Sequence, residues 1–425
     1  MPRGMLAAEW LLAASVAAGM AGLFVAAEVA GRLLDPHYLC RVRGCMVYSQ
    51  LYGWDLRPGF EGELHDVWMT VDAHGHRGDG RARPVPSGRA RVVMLGDSIT
   101  FGSWARDGDT FSALLDGHYD VVNLGVEGYG TAQELLKFEH EGSRYRPDVV
   151  VLNFTVANDV SDNASGISGR EEEGGQWPVP YFTLEGQRGL VLHDEHVRLD
   201  AAHRLAQWLQ DDSYLVNRLS LVPPINHVAP LADLQHAPSR FWESPSARDA
   251  AERVTVALIA LVQVRVRATG ARFVVLFHPD QPTFEMHSSL CDRLHKALAD
   301  RGVGPVVSMA EAYRRWPYAW SAISRDYQGH LTPLGHRVAA TEIEALLDSV
   351  LQGAAPPTGI SGREGEVPVA PARIAGLPSE QRHRPPSSRT GHSLSPTRRR
   401  ERRAPSPRTA ADGSSGGRSA GGGWS

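Results

Sequence analysis

Five short, mainly apolar runs rich in β-branched residues punctuate the middle of the chain: Val92–Leu95, Tyr119–Leu124, Val149–Phe154, Phe273–Phe277 and Pro305–Met309. Strands that show only one face to a core alternate apolar with polar residues. Continuous apolar runs mark strands covered on both faces, the habit of parallel sheets. Between these runs the spacing changes to helical at Thr110–Leu115, Thr131–Tyr145, Ala247–Ala268, Phe284–Asp300 and Pro333–Leu351. Strands alternating with helices predict crossover connections, and so an α/β fold: a three-layer α/β/α sandwich with a mostly parallel central sheet of about five strands. The last helix has the clearest boundaries. Thr332 can cap it, Pro333 suits its first turn, and Val338, Ala339, Ile343, Leu346 and Leu347 form one apolar stripe.

Three stretches break this rhythm. Residues 162–240 hold a polar Gly/Glu segment, a hairpin pattern at Tyr181–Leu192 and a helical pattern with Leu205, Trp208, Leu209, Leu215 and Leu219. They are read as an insertion at the edge or mouth of the sheet. At the amino end, Trp10–Ala27 runs without a charge between Glu9 and Glu28, near the lower limit for crossing a hydrocarbon core of about 30 Å. It predicts a membrane anchor or a secretory signal. The lack of a clear small-x-small cleavage site favours the uncleaved anchor. From Gly353 onward, Gly, Pro, Ser and Arg dominate, and after Leu377 almost no aliphatic residue but Leu394 is left to offset ordering entropy, so a disordered tail is expected. The expected organisation is thus an anchor or signal at 1–34, a lead-in at 35–90, the α/β domain at 91–352 with its insertion, and the tail at 353–425.

Charge follows the same division. The net charge of −4 averages a tail with 12 Arg and 5 acidic residues against a body that is clearly acidic. An acidic body lacks the basic face that neutralises phosphates, so no nucleic-acid partner is expected. Three cysteines exclude a dense disulfide scaffold and a four-cysteine zinc site. Cys40 and Cys45 could close a small loop or remain thiols, and Cys291 reads as a small buried hydrophobe.

The chemistry gathers at the carboxyl ends of the strands, where open α/β sheets bind ligands. The first strand runs into Gly96-Asp97-Ser98-Ile99-Thr100, and a serine there either caps a helix or serves as a nucleophile. The second strand ends in Asn123-Leu124-Gly125, where a glycine permits close backbone approach, and the third in Thr155-Val156-Ala157-Asn158-Asp159. Asp326-Tyr327-Gln328-Gly329-His330 precedes the last helix, in a loop able to return to the same edge. One nucleophile, one base and donors for a developing oxyanion therefore converge. His336 reads as a packing or capping residue, Asp97 and Asp159 as structural partners in their turns, and His278 as a pocket-lining residue. His74 and His76 have a spacing that could bind metal but read as a surface loop. No phosphate-cradling loop, zinc ligand pair or nucleotide fingerprint accompanies the serine, so no cofactor is expected.

This set resembles the SGNH, or GDSL-type, serine hydrolase superfamily in four blocks across Arg91–Leu351: Gly-Asp-Ser-Ile-Thr at Ser98, Asn-Leu-Gly at Gly125, Asn158-Asp159, and His330-Leu-Thr-Pro-Leu-Gly-His. Tyr52-Gly-Trp-Asp-Leu-Arg-Pro-Gly-Phe and Asp72-Ala-His-Gly-His-Arg-Gly also resemble the lead-in of its membrane-anchored bacterial members. The resemblance implies a flavodoxin-like sandwich, Ser98 as nucleophile, His330 as base, and an oxyanion hole from the N–H groups of Ser98 and Gly125 with the amide of Asn158. Two positions depart from the pattern. Val156 stands where the third block has Gly, and Tyr327 stands where the last block has Asp three residues before His. Asp326, one residue further away, can orient the imidazole only through a bulged loop. The alternative is a Ser–His dyad with a backbone carbonyl as orienter.

The expected reaction is hydrolysis of small, acetyl-like O-acyl esters through an acyl-enzyme, with cell-envelope glycans as the expected substrate and the catalytic domain outside the cytoplasm. The alternatives are an O-acyltransferase using the same residues, and a glycan-binding module whose site is degenerate.

Overall fold

The computed structural model describes residues 3–34, 44–78, 88–164, 179–186, 189–199, 201–219, 244–286 and 288–353. The chain divides into two units, Met1–Ala375 and Gly376–Ser425. The second unit lies wholly outside the described residues, as does the expected tail beyond Gly353.

Two antiparallel hairpins come first, β1 (Met46–Ser49) with β2 (Gly53–Leu56) and β3 (Glu61–Leu64) with β4 (Val67–Thr70). The central sheet is built from β5 (Arg91–Gly96), β6 (Asp120–Asn123), β7 (Val149–Thr155), β10 (Arg272–His278) and β11 (Val306–Ser308), in the order β11-β10-β7-β5-β6. All four pairings are parallel, as the apolar runs predict. Side chains on a strand alternate between faces. Val93, Leu95, Val150, Leu152 and Val275 join one apolar core, under the helices Thr131–His140, Pro245–Arg267 and Ser289–Ala299. Val92, Met94, Val149, Val151, Val274 and Leu276 join the other, under Phe111–Leu115, Met309–Arg314 and Pro333–Gln352. The predicted stripe on the last helix is buried in this second core, and Thr332 accepts from Gly335 N as its cap.

The helix expected over Phe284–Asp300 is two helices, Gln281–Glu285 and Ser289–Ala299. Asp280 caps the first, Met286 turns extended, and Ser288 caps the second. The helix expected to reach Tyr145 ends at His140 and is followed by a 3₁₀ turn over Gly142–Tyr145.

Within the insertion, β8 (Tyr181–Glu185) and β9 (Gly189–His193) form the expected hairpin, and Phe182 and Leu190 pack into the first core. Helices follow at Ala201–Asp212 and Tyr214–Leu219. The amino-terminal helix Arg3–Leu34 includes a 23-residue stretch, Leu12–Leu34, apolar and long enough to cross a membrane or to serve as a signal sequence. Its Glu28 accepts from Ser213 Oγ and from the N–H groups of Tyr214 and Leu215, at 2.7–3.0 Å. The carboxylate thereby satisfies orphan donors at the start of the helix Tyr214–Leu219.

The lead-in is part of the α/β body. Cys45, Tyr52, Leu56, Phe60, Met69 and Val71 share a third core with Phe101, Val126, Tyr129 and Leu136. Lys137, fully buried, is 2.7 Å from Asp55 and 3.3 Å from Glu141, which also accepts from Tyr52 Oη at 2.9 Å. His76 belongs to this cluster too, beside Asp72 and Glu141. It is buried, which corrects the surface-loop reading for His76, while His74 is exposed as expected. Cys40, the other half of the suggested cysteine pair, lies outside the described residues.

Candidate active site

At the end of β5 the chain turns through Asp97, whose Oδ1 accepts from Ile99 N at 3.0 Å and caps the single-turn helix Ser98–Phe101. Ser98 is therefore the first helical residue, at the carboxyl edge of a central strand. Its Oγ lies 2.9 Å from His330 Nε2. His330 Nδ1 lies 2.6 Å from Asp326 Oδ2. The second carboxylate oxygen of Asp326 accepts from the N–H groups of Gln328, Gly329 and His330 at 3.0–3.2 Å, so the carboxylate winds the loop around itself. Burial acts to raise the Asp326 carboxyl, but the hydrogen bonds from His330 and from the loop outweigh it and hold the group below the usual carboxylate range. Tyr327, at the position where the family pattern has Asp, is 57% exposed.

The loop is held from several sides. Trp320 Nε1 and Ser324 Oγ donate to the Asp326 carbonyl, and Arg325 N donates to the His330 carbonyl at 2.7 Å. His278 Nε2 meets the Gly329 carbonyl at 3.1 Å. His278 is buried, and burial pushes it down to about 4, so it supports the loop from behind as a neutral ring. The expectation that it lines the pocket is corrected accordingly. His336 packs as expected: Phe111 N donates to its Nδ1 at 3.2 Å, and burial lowers it to about 3.

Two of the three donors expected for an oxyanion are engaged within the protein. Gly125 N donates to Asn123 Oδ1 at 2.9 Å. Gly125 also lies so close to the backbone at Thr100–Phe101 that a Cβ would collide with it, which accounts for glycine there. Asn158 Nδ2 lies 2.9 Å from Asp162 Oδ2 and 3.3 Å from Asp97 Oδ2. The N–H of Ser98 heads its helix, where the first N–H groups have no intrahelical acceptor. Val156 is buried, with its N–H on the His278 carbonyl at 3.1 Å.

Behind the serine turn, Asp97, Glu134 and Asp159 are all buried. Asp159 Oδ2 accepts from Thr155 N at 2.7 Å, in keeping with a structural role. Neither side-chain oxygen of Glu134 has a partner among the described residues. Burial and the neighbouring charges of Asp97 and Asp162 push the Glu134 carboxyl well above the carboxylate range.

Four residues near the serine escaped the sequence reading. Arg77 Nε binds Asp107 Oδ1 at 2.8 Å, and its Nη atoms donate to the carbonyls of Phe101 and Gly102 at 3.4 Å and of Ala105 at 2.5 Å. A guanidinium from the lead-in thus caps the carboxyl end of the serine helix. Glu127, buried, accepts from Ser103 Oγ and lies 2.9 Å from His65 Nε2. His65 stacks on Trp104 at 4.2 Å between ring centroids, and Trp104 meets the His330 ring edge-on at 4.6 Å. Trp104 holds φ at +62°, a strained value for a bulky residue. These residues lie far apart in sequence, so no local pattern announces them.

A hydroxyl, an imidazole and a carboxylate thus stand in one hydrogen-bonded chain at the carboxyl edge of the parallel sheet. The pattern of the GDSL-like lipase/acylhydrolase family matches residues 94–338, and the chain belongs to that family. No curated protein matches the sequence. Similar solved structures include a two-domain esterase active on acetylated mannans, with 14% identity and a TM-score of 0.34 over 65% of this chain. The match spans 53% of that esterase, about half its length. Others are a catalytic mutant of an acetylxylan esterase from Geobacillus stearothermophilus (15% identity, TM-score 0.33, 61% of this chain and 94% of the other) and a GDSL-like lipase from Bacteroides thetaiotaomicron (14%, 0.33, 63% and 92%).

Proposed function

We propose that the protein is a membrane-anchored serine esterase that removes small, acetyl-like O-acyl groups from cell-envelope glycans outside the cytoplasm. The observation that carries the chemistry is the 2.9 Å approach of Ser98 Oγ to His330 Nε2, with His330 Nδ1 on Asp326. A carboxylate on Nδ1 fixes the tautomer with its proton there and leaves Nε2 free to accept. His330 takes the Ser98 proton as Oγ attacks the ester carbonyl, and Asp326 orients the imidazole and stabilises the imidazolium. Collapse of the tetrahedral intermediate expels the alcohol, which takes the proton from His330. Water, deprotonated by His330, then attacks the acyl-enzyme and releases the acid.

The developing oxyanion meets the N–H of Ser98 first. Gly125 N–H and the Asn158 amide join it by turning from Asn123 and from Asp97 and Asp162 toward the substrate. The apolar stretch Leu12–Leu34 supports the anchor. Its orientation is taken from the expected substrate.

Full-length protein in detergent should hydrolyse a short-chain aryl acetate and be labelled at Ser98 by a fluorophosphonate probe. Ser98→Ala and His330→Ala should each abolish the hydrolysis. Equal rates in wild type and Ser98→Ala, with no labelling of wild type, would overturn the reading.

A further inference from the structure

The tight turn joining β3 to β4 carries His65 and Asp66, both with left-handed backbone, at φ +52° and +60°. It lies in the lead-in, ahead of the family-matched segment, yet it delivers His65 to the serine site. Two contacts define His65 there: its ring stacks on Trp104, and its Nε2 is 2.9 Å from the buried Glu127. Trp104 in turn packs on the ring of His330. We infer that His65 is a positioning residue for the proposed esterase reaction, holding Trp104 against His330 and neutralising the Glu127 carboxylate beside that imidazole.

The electrostatic argument follows from what surrounds each group. His65 faces Glu127 from the loop after β6, Asp66 from its own turn and Arg325 from the histidine loop. Burial lowers its proton affinity, but Glu127 more than offsets this, so a cationic His65 opposite an anionic Glu127 is the favoured pair. His330 has the anionic groups Asp326, Asp97 and Glu127 around it, with His278 behind its loop. An uncompensated Glu127 would add a negative charge beside His330 and favour its imidazolium over the neutral ring. The cation on His65 removes that effect. Its ring, clamped on Trp104, also denies the tryptophan the freedom to relax from φ +62°.

The inference rests on the proposed catalytic reading, and the test separates the two. In full-length protein, kcat/KM for an aryl acetate would be followed against pH for His65→Phe, His65→Ala, Glu127→Gln and the pair His65→Phe/Glu127→Gln. Phe retains the stack and loses the pairing. The acidic limb should move up by about half a pH unit in His65→Phe and return in the double variant. His65→Ala should also lower kcat about tenfold with little change in KM, a loss that Phe largely restores. Fluorophosphonate labelling of Ser98 in each variant shows that the site is folded. A labelled wild type whose limb and kcat are unmoved by either His65 substitution overturns this inference alone. A wild type that is neither labelled nor active overturns the catalytic reading, and this inference with it.

Discussion

Asp326 reaches His330 from four residues upstream: Oδ2 lies 2.6 Å from Nδ1 while Oδ1 gathers three backbone N–H groups of the intervening loop. The extra residue relative to the family spacing is absorbed by that loop, which turns through Gly329 at φ +109°. A Cβ on Gly329 would meet the carbonyl of Pro279 at 2.5 Å, so glycine suits the bulge sterically as well as conformationally.

Asp326→Asn keeps the shape of the side chain but exchanges an acceptor for a donor at Nδ1 and so favours the wrong tautomer. We expect kcat to fall by as much as about 10⁴-fold with KM little affected. Steady-state kinetics on an aryl acetate measures this. A loss below about tenfold would show that a carbonyl can serve as orienter instead.

Asn158→Ala tests whether the amide leaves its two carboxylates during the reaction. As an oxyanion donor, its loss should lower kcat about 10²–10³-fold without raising KM. If the amide serves only to separate Asp97 from Asp162, the main effect should be on the denaturation midpoint, with kcat close to wild type.

Glu134→Gln should stabilise the protein above neutral pH. The folded-state carboxyl is raised well above its ordinary value, so the unfolded chain ionises first as pH rises. Stability is lost progressively from about pH 4.3 upward, toward the folded value. Gln carries no such penalty. Urea midpoints of wild type and variant should therefore diverge as pH increases and converge near pH 4.

Lys137→Met strands Asp55 and Glu141 in a mostly buried setting and should cost about 3 kcal/mol, read from urea unfolding. The same cluster carries an acid dependence. Burial acts to raise Glu141, but His76 and Lys137 outweigh it and hold it at about 2. A depressed carboxylate stabilises the fold above its unfolded value and loses that contribution as pH falls from about 4.3 through about 2. Wild type should show this acid loss, and Lys137→Met should show less of it.

The central sheet was legible because burial on both faces writes itself into a strand as a mainly apolar run without polar alternation, and Val92–Leu95 and Val149–Phe154 are such runs. Ser98 and His330 could be singled out because each adjoins a recognisable boundary, Ser98 just after a strand end and His330 just before a capped helix. Boundaries set by competing caps were harder: Ser288 starts a new helix where the apolar spacing alone suggested one continuous helix from Phe284. The third core escaped notice because its residues reach it from hairpins too short to show a period. Arg77 and His65 act on residues 24 to 62 positions away, through contacts that only the folded chain creates.

The cap that Arg77 places on the serine helix bears on where this protein can be cut. The family-matched segment begins at residue 94, after Arg77, after the hairpin carrying His65, and after six side chains of the third core. A fragment excised at that boundary would keep Ser98, His330 and Asp326 but expose Phe101 and Tyr129 to water. It would also leave the carbonyls at the end of the serine helix without their guanidinium. In this chain the family-matched segment is therefore shorter than the unit that buries these side chains, and a fragment that keeps their contacts begins no later than the first hairpin.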